Sequence, residues 1–268
     1  GLTVSPGLKY SRFTRSLDAE VNTGTALPLT TSQTYDAVLP SLLVHQTITP
    51  NWSAYAQAAE GFLAPNQNIL NTTNPAFSHV NPQQSWNYQV GTAWQSKQLA
   101  ASLDAYYIDF SNEISSETVG GIQEFFNLGG TTYKGLEGEA TYYVGYGVSL
   151  YGNGSLNSAK DKQSGQPVPN APQATAAAGV IYDQRGLYGS LIDKWVGARY
   201  GDVNKQEGLD PYSSLDAALG YTLTDRPNWA PPASIKLEIN NLLDSTKIYG
   251  FAGTTVGAGT PLFWTIPG

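Results

Sequence analysis

The chain has 268 residues, of which 13% are charged and 12% aromatic, and it contains neither cysteine nor methionine. Its net charge of -7 and its 14 scattered Lys and Arg residues argue against nucleic-acid binding, which needs clustered basic side chains. The sequence has no run of about 18 apolar residues, so it excludes membrane insertion through helices. A β-barrel wall that faces lipid needs few charges, because half of its side chains lie in hydrocarbon.

Alternation of apolar and polar residues with a period of two predicts β-strands along the whole chain. The segment from Trp86 to Gln95 shows the alternation most clearly, since Trp, Tyr, Val and Thr at even positions alternate with polar or small residues at odd positions. One face of such a strand suits lipid and the other suits water. We predict eleven strands in chain order, at residues 2–12, 37–47, 51–60, 85–95, 99–110, 132–143, 148–158, 173–183, 187–199, 212–223 and 233–242.

The predicted connections alternate between long and mostly short ones. Long connections are expected at residues 13–36, 61–84, 111–131, 159–172, 200–211 and 243–262. Short connections are expected near residues 49–50, 96–97, 145–146 and 184–185, and a somewhat longer one at 224–232. This asymmetry is typical of outer-membrane barrels, which have tight periplasmic turns and long external loops. A soluble antiparallel β protein is the alternative, but its strands usually have about 5–6 residues rather than about ten.

A series of short motifs follows the predicted strands in a fixed order. The motifs lie at residues 4–10, 49–56, 85–91, 134–140, 167–172 and 240–244. The strongest is Lys-Gly-Leu-Glu-Gly-Glu-Ala at residues 134–140. In content and order, these segments resemble the C-terminal half of the TonB-dependent outer-membrane receptors, and of siderophore receptors in particular.

The resemblance implies an all-β fold, an antiparallel transmembrane β-barrel of about 22 strands that holds an N-terminal plug. Residues 1–268 would then supply about eleven strands of the C-terminal part of that barrel. The plug, the first strands and the last strand are expected to lie outside this chain, because the similarity to the family breaks off at residues 266–268.

The resemblance also implies a function in the outer membrane of a Gram-negative bacterium. The expected activity is the import of a scarce nutrient, with a ferric siderophore as the leading candidate, driven by the TonB complex through the absent N-terminal region. The expected partners are outer-membrane lipid and the small ligand, and no cofactor, catalytic residue or nucleic acid is expected. Cobalamin, a saccharide or another metal chelate remain alternative ligands. A passive porin and a soluble carbohydrate-binding or enzymatic β domain remain alternative functions.

Two sets of residues are candidates for the site. Glu137 and Glu139 are two residues apart on one strand and therefore share a face, which is predicted to face the lumen together with Asn87, Gln89 and Asn153. They either contact the plug or the ligand path, or are solvated carboxylates paired with neighbouring strands. A glycosidase pair would need an aromatic cleft and a defined separation that this strand does not offer.

The second set borders the long connections, where it would gather a ligand or anchor the barrel in the interface belts. It consists of Tyr35, Phe62, Asn66, Gln67, Phe77, His79, Phe125, Phe126, Tyr133 and Trp264. His45 and His79 are the only histidines and no Cys accompanies them, so the sequence predicts no metal site with local spacing.

Overall fold

The computed structural model describes residues 1–21, 27–70, 80–119, 122–202, 204–223, 233–254 and 260–265. The strands are β1 (Leu2–Ala19), β2 (Leu29–Thr49), β3 (Trp52–Leu63), β4 (Gln83–Gln95), β5 (Leu99–Ser111), β6 (Ile114–Val119), β7 (Ile122–Asn127), β8 (Gly130–Gly145), β9 (Val148–Asp161), β10 (Ala174–Gln184), β11 (Leu187–Val196), β12 (Arg199–Tyr200), β13 (Gly208–Leu209), β14 (Tyr212–Thr222), β15 (Ser234–Ile239), β16 (Ile248–Thr254) and β17 (Pro261–Thr265). A short 3₁₀ helix covers Gln67–Leu70.

Eleven of these strands form one sheet in the order β1-β2-β3-β4-β5-β8-β9-β10-β11-β14-β15, and each strand is antiparallel to its neighbours. The prediction of eleven antiparallel strands is confirmed. Three two-stranded hairpins, β6-β7, β12-β13 and β16-β17, lie largely within the predicted long connections, although β12 begins one residue before its connection and β17 ends three residues after its own. Within the described residues β1 and β15 pair on one side only, so the sheet is open.

Short turns join the strands at one end of the sheet, the turn end, and the long connections lie at the other end, the loop end. At the turn end, Tyr146 and Gly147 have φ angles of 53° and 82°, and Arg185 and Gly186 have φ angles of 53° and 85°. Two successive positive φ angles define the type I′ turn, whose twist matches that of a β-hairpin. The predicted connection at residues 224–232 lies outside the described residues.

The register carries the predicted alternation across the whole sheet. Val90 lies directly opposite Ala56 and Ala105, and Ala105 lies opposite Leu136, which lies opposite Leu156. Directly opposite residues point to the same side of a sheet. One side, the apolar face, therefore collects the apolar residues of neighbouring strands, and the other side, the polar face, collects the polar and small ones.

Aromatic residues border the apolar face at both ends, as in the girdles of outer-membrane barrels. At the turn end Trp52 lies opposite Trp94. Towards the loop end the Trp86 and Tyr88 rings stack with their centroids 5.8 Å apart, and the ring centroids of Tyr107 and Tyr88 are 6.3 Å apart. On β8 the residues on the apolar face run from 136 to 144, which corresponds to about 27 Å along the strand. At a strand tilt of about 40° this length spans about 20 Å of membrane thickness, which is close to the height of about 25 Å that is typical of a lipid-facing band.

Strands β1 and β2 extend well beyond this band, and residues 13–36, predicted as a loop, are largely a hairpin. On the outer part of this hairpin the continuation of the apolar face is polar. The Thr14 and Thr34 hydroxyls lie 3.0 Å apart, and Thr30 donates to Asp18 over 2.9 Å. The prediction ended both strands too early because the contrast between the faces fades where there is no lipid.

The buried apolar residues of the described chain lie at the loop end. Five of them form a cluster, the loop-end core, of Tyr35, Ala64, Ile69, Leu70 and Val80, against which Leu17, Phe62, Ile114 and Phe125 pack. The core joins the β1-β2 hairpin, the segment after β3 and the β6-β7 hairpin. No helix in the described residues has the length and apolar character needed to cross a membrane.

Candidate functional site

The middle of the polar face carries a network of side-chain hydrogen bonds, some within one strand and some between strands. The Tyr55 hydroxyl of β3 donates to the Asp104 carboxylate of β5. The Tyr151 hydroxyl of β9 donates to Glu139 Oε2 over 3.1 Å, and Asn153 Nδ2 donates to the Tyr151 oxygen over 2.6 Å. Such cross-strand bonds hold the polar side chains in place along the wall.

Three carboxylates lie together in this network. Asp104 is directly opposite Glu137, and Glu139 follows two residues along the same strand, opposite Ser102. With Asn153 they line an open pocket of about 350 Å³. Like charges in opposite positions repel each other. The wall is therefore acidic at this point.

Among the described residues, no Lys or Arg forms an ion pair with Asp104, Glu137 or Glu139. Lys194 Nζ lies 2.6 Å from Asp216 Oδ2, Lys236 pairs with Glu238, and Lys162 pairs with Asp109. These are the ion pairs within 4.0 Å in the described ranges. The acidic group is thus solvated or faces a positively charged surface of another segment or molecule.

Three tyrosines on the polar face lie directly opposite glycines. The pairs are Tyr55 with Gly91, Tyr106 with Gly135, and Tyr188 with Gly220. A Cβ added to any of these glycines would come within 2.9 Å of the tyrosine ring. Each glycine thus leaves room for the tyrosine ring to lie flat against the sheet. The polar face gains phenol hydroxyls that project little from the wall.

The residues predicted to face the lumen do share the polar face. Glu137, Glu139 and Asn153 line one pocket. Asn87 and Gln89 lie on β4, and Gln89 Oε1 accepts a hydrogen bond of 2.6 Å from Gln57 Nε2. A role in ligand passage remains a prediction for all five. Asp104 and Tyr55 were not among the predicted site residues, because their contacts depend on strand register.

The aromatic residues predicted at the long connections divide into two groups. Tyr35 belongs to the loop-end core and is 5% exposed, and Phe62 and Phe125 pack against this core. The Tyr35 hydroxyl donates to Gln33 Oε1 over 2.7 Å, and burial raises the pKa of Tyr35. Packing of the loops occupies these three side chains in the structure, and ligand contact by them stays a prediction.

The other predicted loop residues lie in different surroundings. Asn66 lines a cavity of about 210 Å³ beside Ile69. Tyr133 lies on the polar face of β8, opposite Ile108, and Phe126 lies on β7. Gln67 begins the 3₁₀ helix, and Trp264 lies on β17, opposite Gly250, with its ring stacked on Tyr249. Phe77 and His79 lie outside the described residues.

A buried arginine ties two loop-end hairpins together, a feature that sequence analysis missed. Arg199 is 5% exposed, and its guanidinium donates to the carbonyl oxygens of Gly197, Ile248 and Tyr249. The guanidinium also lies 5.2 Å from the centroid of the Tyr212 ring. Burial lowers the pKa of Arg199. Carbonyl dipoles and the ring compensate the buried charge in place of a carboxylate.

The described residues contain no group of three or more His, Cys, Asp or Glu side chains that could hold a metal ion. What they offer is a wall of hydroxyl, amide and carboxylate groups, together with packed loops at one end. Such a surface can hydrogen-bond to a polar ligand or to another protein surface.

The family of this chain follows from comparison with known proteins. A family model described as "TonB dependent receptor-like, beta-barrel" matches residues 1–242, so the chain belongs to this family. Members of the family are transport receptors and not enzymes, and relatives are outer-membrane β-barrels of Gram-negative bacteria. The apolar face is therefore the lipid-facing side of a barrel wall and the polar face its inner side.

Individual relatives match over most of the chain. The pesticin receptor of Yersinia enterocolitica is 27% identical over 249 residues, which cover 84% of this chain and 36% of the receptor. Two solved structures with 19% identity share the fold over 99% of the chain and 41% of their own length. They are the ferric yersiniabactin uptake receptor FyuA of Yersinia pestis, with a TM-score of 0.69, and the ferric citrate transporter FecA, with a TM-score of 0.73. The chain thus spans about a third of the length of the pesticin receptor.

Proposed function

We propose that this chain is part of an outer-membrane receptor of a Gram-negative bacterium that imports a ferric siderophore by TonB-coupled transport. The observation that carries the proposal is the two-faced sheet of eleven strands, which coincides with the family match over residues 1–242. Two of the similar proteins take up ferric chelates according to their names. The ligand class is carried over from them, and it does not follow from any residue of this chain.

The proposal assigns a task to each end and face of the sheet. The loop end lies outside the cell and receives the ligand, and the polar face lines the path inwards. The proposal assigns the plug and the contact with TonB to other parts of the full-length receptor, because the chain covers 36% of the length of the pesticin receptor. The acidic group around Glu137 would then face the plug or the passing ligand.

Loop-end residues that are not part of the loop-end core are the preferred ligand contacts within the chain. Among the residues predicted at the long connections, they include Asn66, Phe126 and Tyr133. Tyr133 lies on the polar face near the loop end, where an incoming ligand first meets the wall. Aromatic and amide groups suit a siderophore because the chelator already fills the coordination sphere of the iron, so that recognition depends on its organic surface.

The test is uptake of radioactive iron by a strain that lacks the full-length gene. Cells would be offered ferric citrate, several ferric siderophores and, separately, labelled cobalamin. The proposal expects loss of uptake of one ferric chelate, its restoration by the gene, and no uptake when TonB is absent. Normal uptake of every chelate, or restored uptake without TonB, would contradict it.

A matched pair of variants tests the assigned contact. Tyr133→Ala should lower ligand affinity at least tenfold, whereas Tyr146→Ala should leave it unchanged, because Tyr146 lies in a turn at the opposite end of the sheet. Equal uptake kinetics for the two variants would remove Tyr133 from the proposed path and leave the transport proposal intact.

A further inference from the structure

Three lysines gather on the lipid-facing side of the wall at the loop end. Lys134 of β8 lies opposite Ser158 of β9, and Lys160 of β9 lies opposite Thr132 of β8. The two lysines are therefore diagonal neighbours, about 7–8 Å apart at the backbone. Both are exposed, and Lys162 follows Lys160. We call Lys134, Lys160 and Lys162 the lysine cluster.

The lysine cluster lies directly above the apolar band. Leu136 and Leu156 are opposite each other one step below it, and they are 49% and 62% exposed. Together with Tyr107 and Lys134 they line a shallow groove of about 560 Å³. The groove thus has an apolar floor in the hydrocarbon layer and a cation at its upper end, in the zone of the lipid headgroups.

The charges of the cluster are only partly balanced within the protein. Asp109 pairs with Lys162, and the ion pairs in the described residues include neither Lys134 nor Lys160. The carboxylate of Asp161, next to Lys160, accepts hydrogen bonds from Gln163 and Ser164. Two neighbouring cations at the edge of a low-dielectric layer repel each other, and an anion between them would relieve this repulsion.

We propose that the lysine cluster and the groove below it bind a phosphate-bearing lipid of the outer leaflet. The phosphate lies between Lys134 and Lys160, and an acyl chain lies along Leu136 and Leu156. Charge complementarity selects an anionic headgroup, and the apolar floor selects a lipid over free phosphate. The site depends on the orientation of the wall in the membrane and not on the transported ligand, so it goes beyond the proposed function.

The experiment uses the full-length protein that carries this chain, purified in detergent and stripped of lipid. Diphosphoryl lipid A, its dephosphorylated form and inorganic phosphate are added separately, and the bound lipid is counted by native mass spectrometry. For the unaltered protein we expect binding of diphosphoryl lipid A and at least tenfold weaker binding of the dephosphorylated form. Inorganic phosphate at the same concentration should not compete.

Variants of the lysine cluster distinguish the effect of its charge on lipid binding from any effect on folding. Lys134→Gln combined with Lys160→Gln should weaken lipid A binding at least tenfold, and arginine at both positions should preserve it. Lys97→Gln is the matched control, because Lys97 is an exposed lysine in a turn at the other end of the sheet. Iron-chelate uptake should be unchanged in all variants. Equal affinity of the double glutamine variant and the unaltered protein, or equal affinity for the dephosphorylated lipid, would overturn the proposal.

Discussion

Asn170 and Phe251 exchange two hydrogen bonds although they are 81 residues apart in sequence. The Phe251 amide donates to Asn170 Oδ1 over 2.9 Å, and Asn170 Nδ2 donates to the Phe251 carbonyl oxygen over 3.3 Å. Asn170 itself has a φ angle of 59°, and its backbone N–H donates to the Tyr200 carbonyl oxygen over 2.7 Å. One side chain therefore links the segment after β9 to the β16-β17 hairpin.

Substitution of Asn170 should release this hairpin. Asn170→Gly keeps the positive φ and loses both side-chain hydrogen bonds, so the local opening free energy at the Phe251 amide should fall by about 1–3 kcal/mol. Asn170→Ala should cost about 1–2 kcal/mol more, because a Cβ is unfavourable in the left-handed region. Hydrogen exchange of the Phe251 amide measures both effects. Unchanged exchange in the glycine variant would show that the hairpin is held by other contacts.

The turn after β9 should lose stability in acid. The Ser164 hydroxyl and amide donate to Asp161 Oδ1, each over 2.6 Å, and these bonds hold the pKa of Asp161 below its ordinary value of 3.8. A lowered pKa in the folded state means that the stabilisation is present above the unfolded value and is lost as the pH falls through the folded one. The exchange protection of the Ser164 amide, corrected for intrinsic rates, should drop below about pH 4. Asp161→Asn should abolish this pH dependence.

A matched pair on β5 tests the two faces of the wall. Leu103 lies on the apolar face midway along the band, and Ser102 is its neighbour on the polar face. Leu103→Lys should lower the free energy of unfolding from lipid vesicles by about 2–4 kcal/mol. Ser102→Lys should change it by less than about 1 kcal/mol, because that side chain faces water. Urea titration measures the free energy of unfolding of both variants. A larger loss of this free energy for Ser102→Lys than for Leu103→Lys would reverse the assignment of the faces.

Packing of the loop-end core should depend on Ile69, which is 1% exposed. Ile69→Ala should reduce the local stability of the segment after β3 by about 2–5 kcal/mol, since it removes apolar atoms and leaves a cavity. Leu63→Ala is the control, because Leu63 is 61% exposed and should matter by only about 0.5 kcal/mol. Hydrogen exchange of the Ile69 backbone amide, which donates to the Asn66 carbonyl oxygen, measures the difference in local stability between the two variants. Similar exchange in both variants would show that this core does not hold the segment.

The membrane-spanning part of the fold was predictable from sequence, because lipid imposes a strict contrast between the two faces of each strand. Strand β4 was predicted at residues 85–95 and lies at Gln83–Gln95, and β5 was predicted at 99–110 and lies at Leu99–Ser111. The grouping of Glu137, Glu139 and Asn153 followed from the same alternation. Local sequence was sufficient because the contrast repeats every second residue.

The loop end was not predictable in the same way, because its contacts join segments far apart in sequence. Nothing local to Arg199 indicates that its charge would be compensated by carbonyl groups 49 and 50 residues later. Tyr35 and Phe125 were predicted as ligand contacts from their position beside long connections, and the structure uses both in packing. Burial of such residues depends on the meeting of three connections and not on any periodic pattern.

The polar outer half of the β1-β2 hairpin sets the depth of this wall. If the hairpin slid inwards by one step, the Thr14 and Thr34 hydroxyls and the Asp18 carboxylate would approach the hydrocarbon layer. The loop-end core packs against the other side of the same hairpin and would move with it. Burial of these polar groups in hydrocarbon without their water contacts is unfavourable, so the outer half of the hairpin is expected to stay outside the lipid layer.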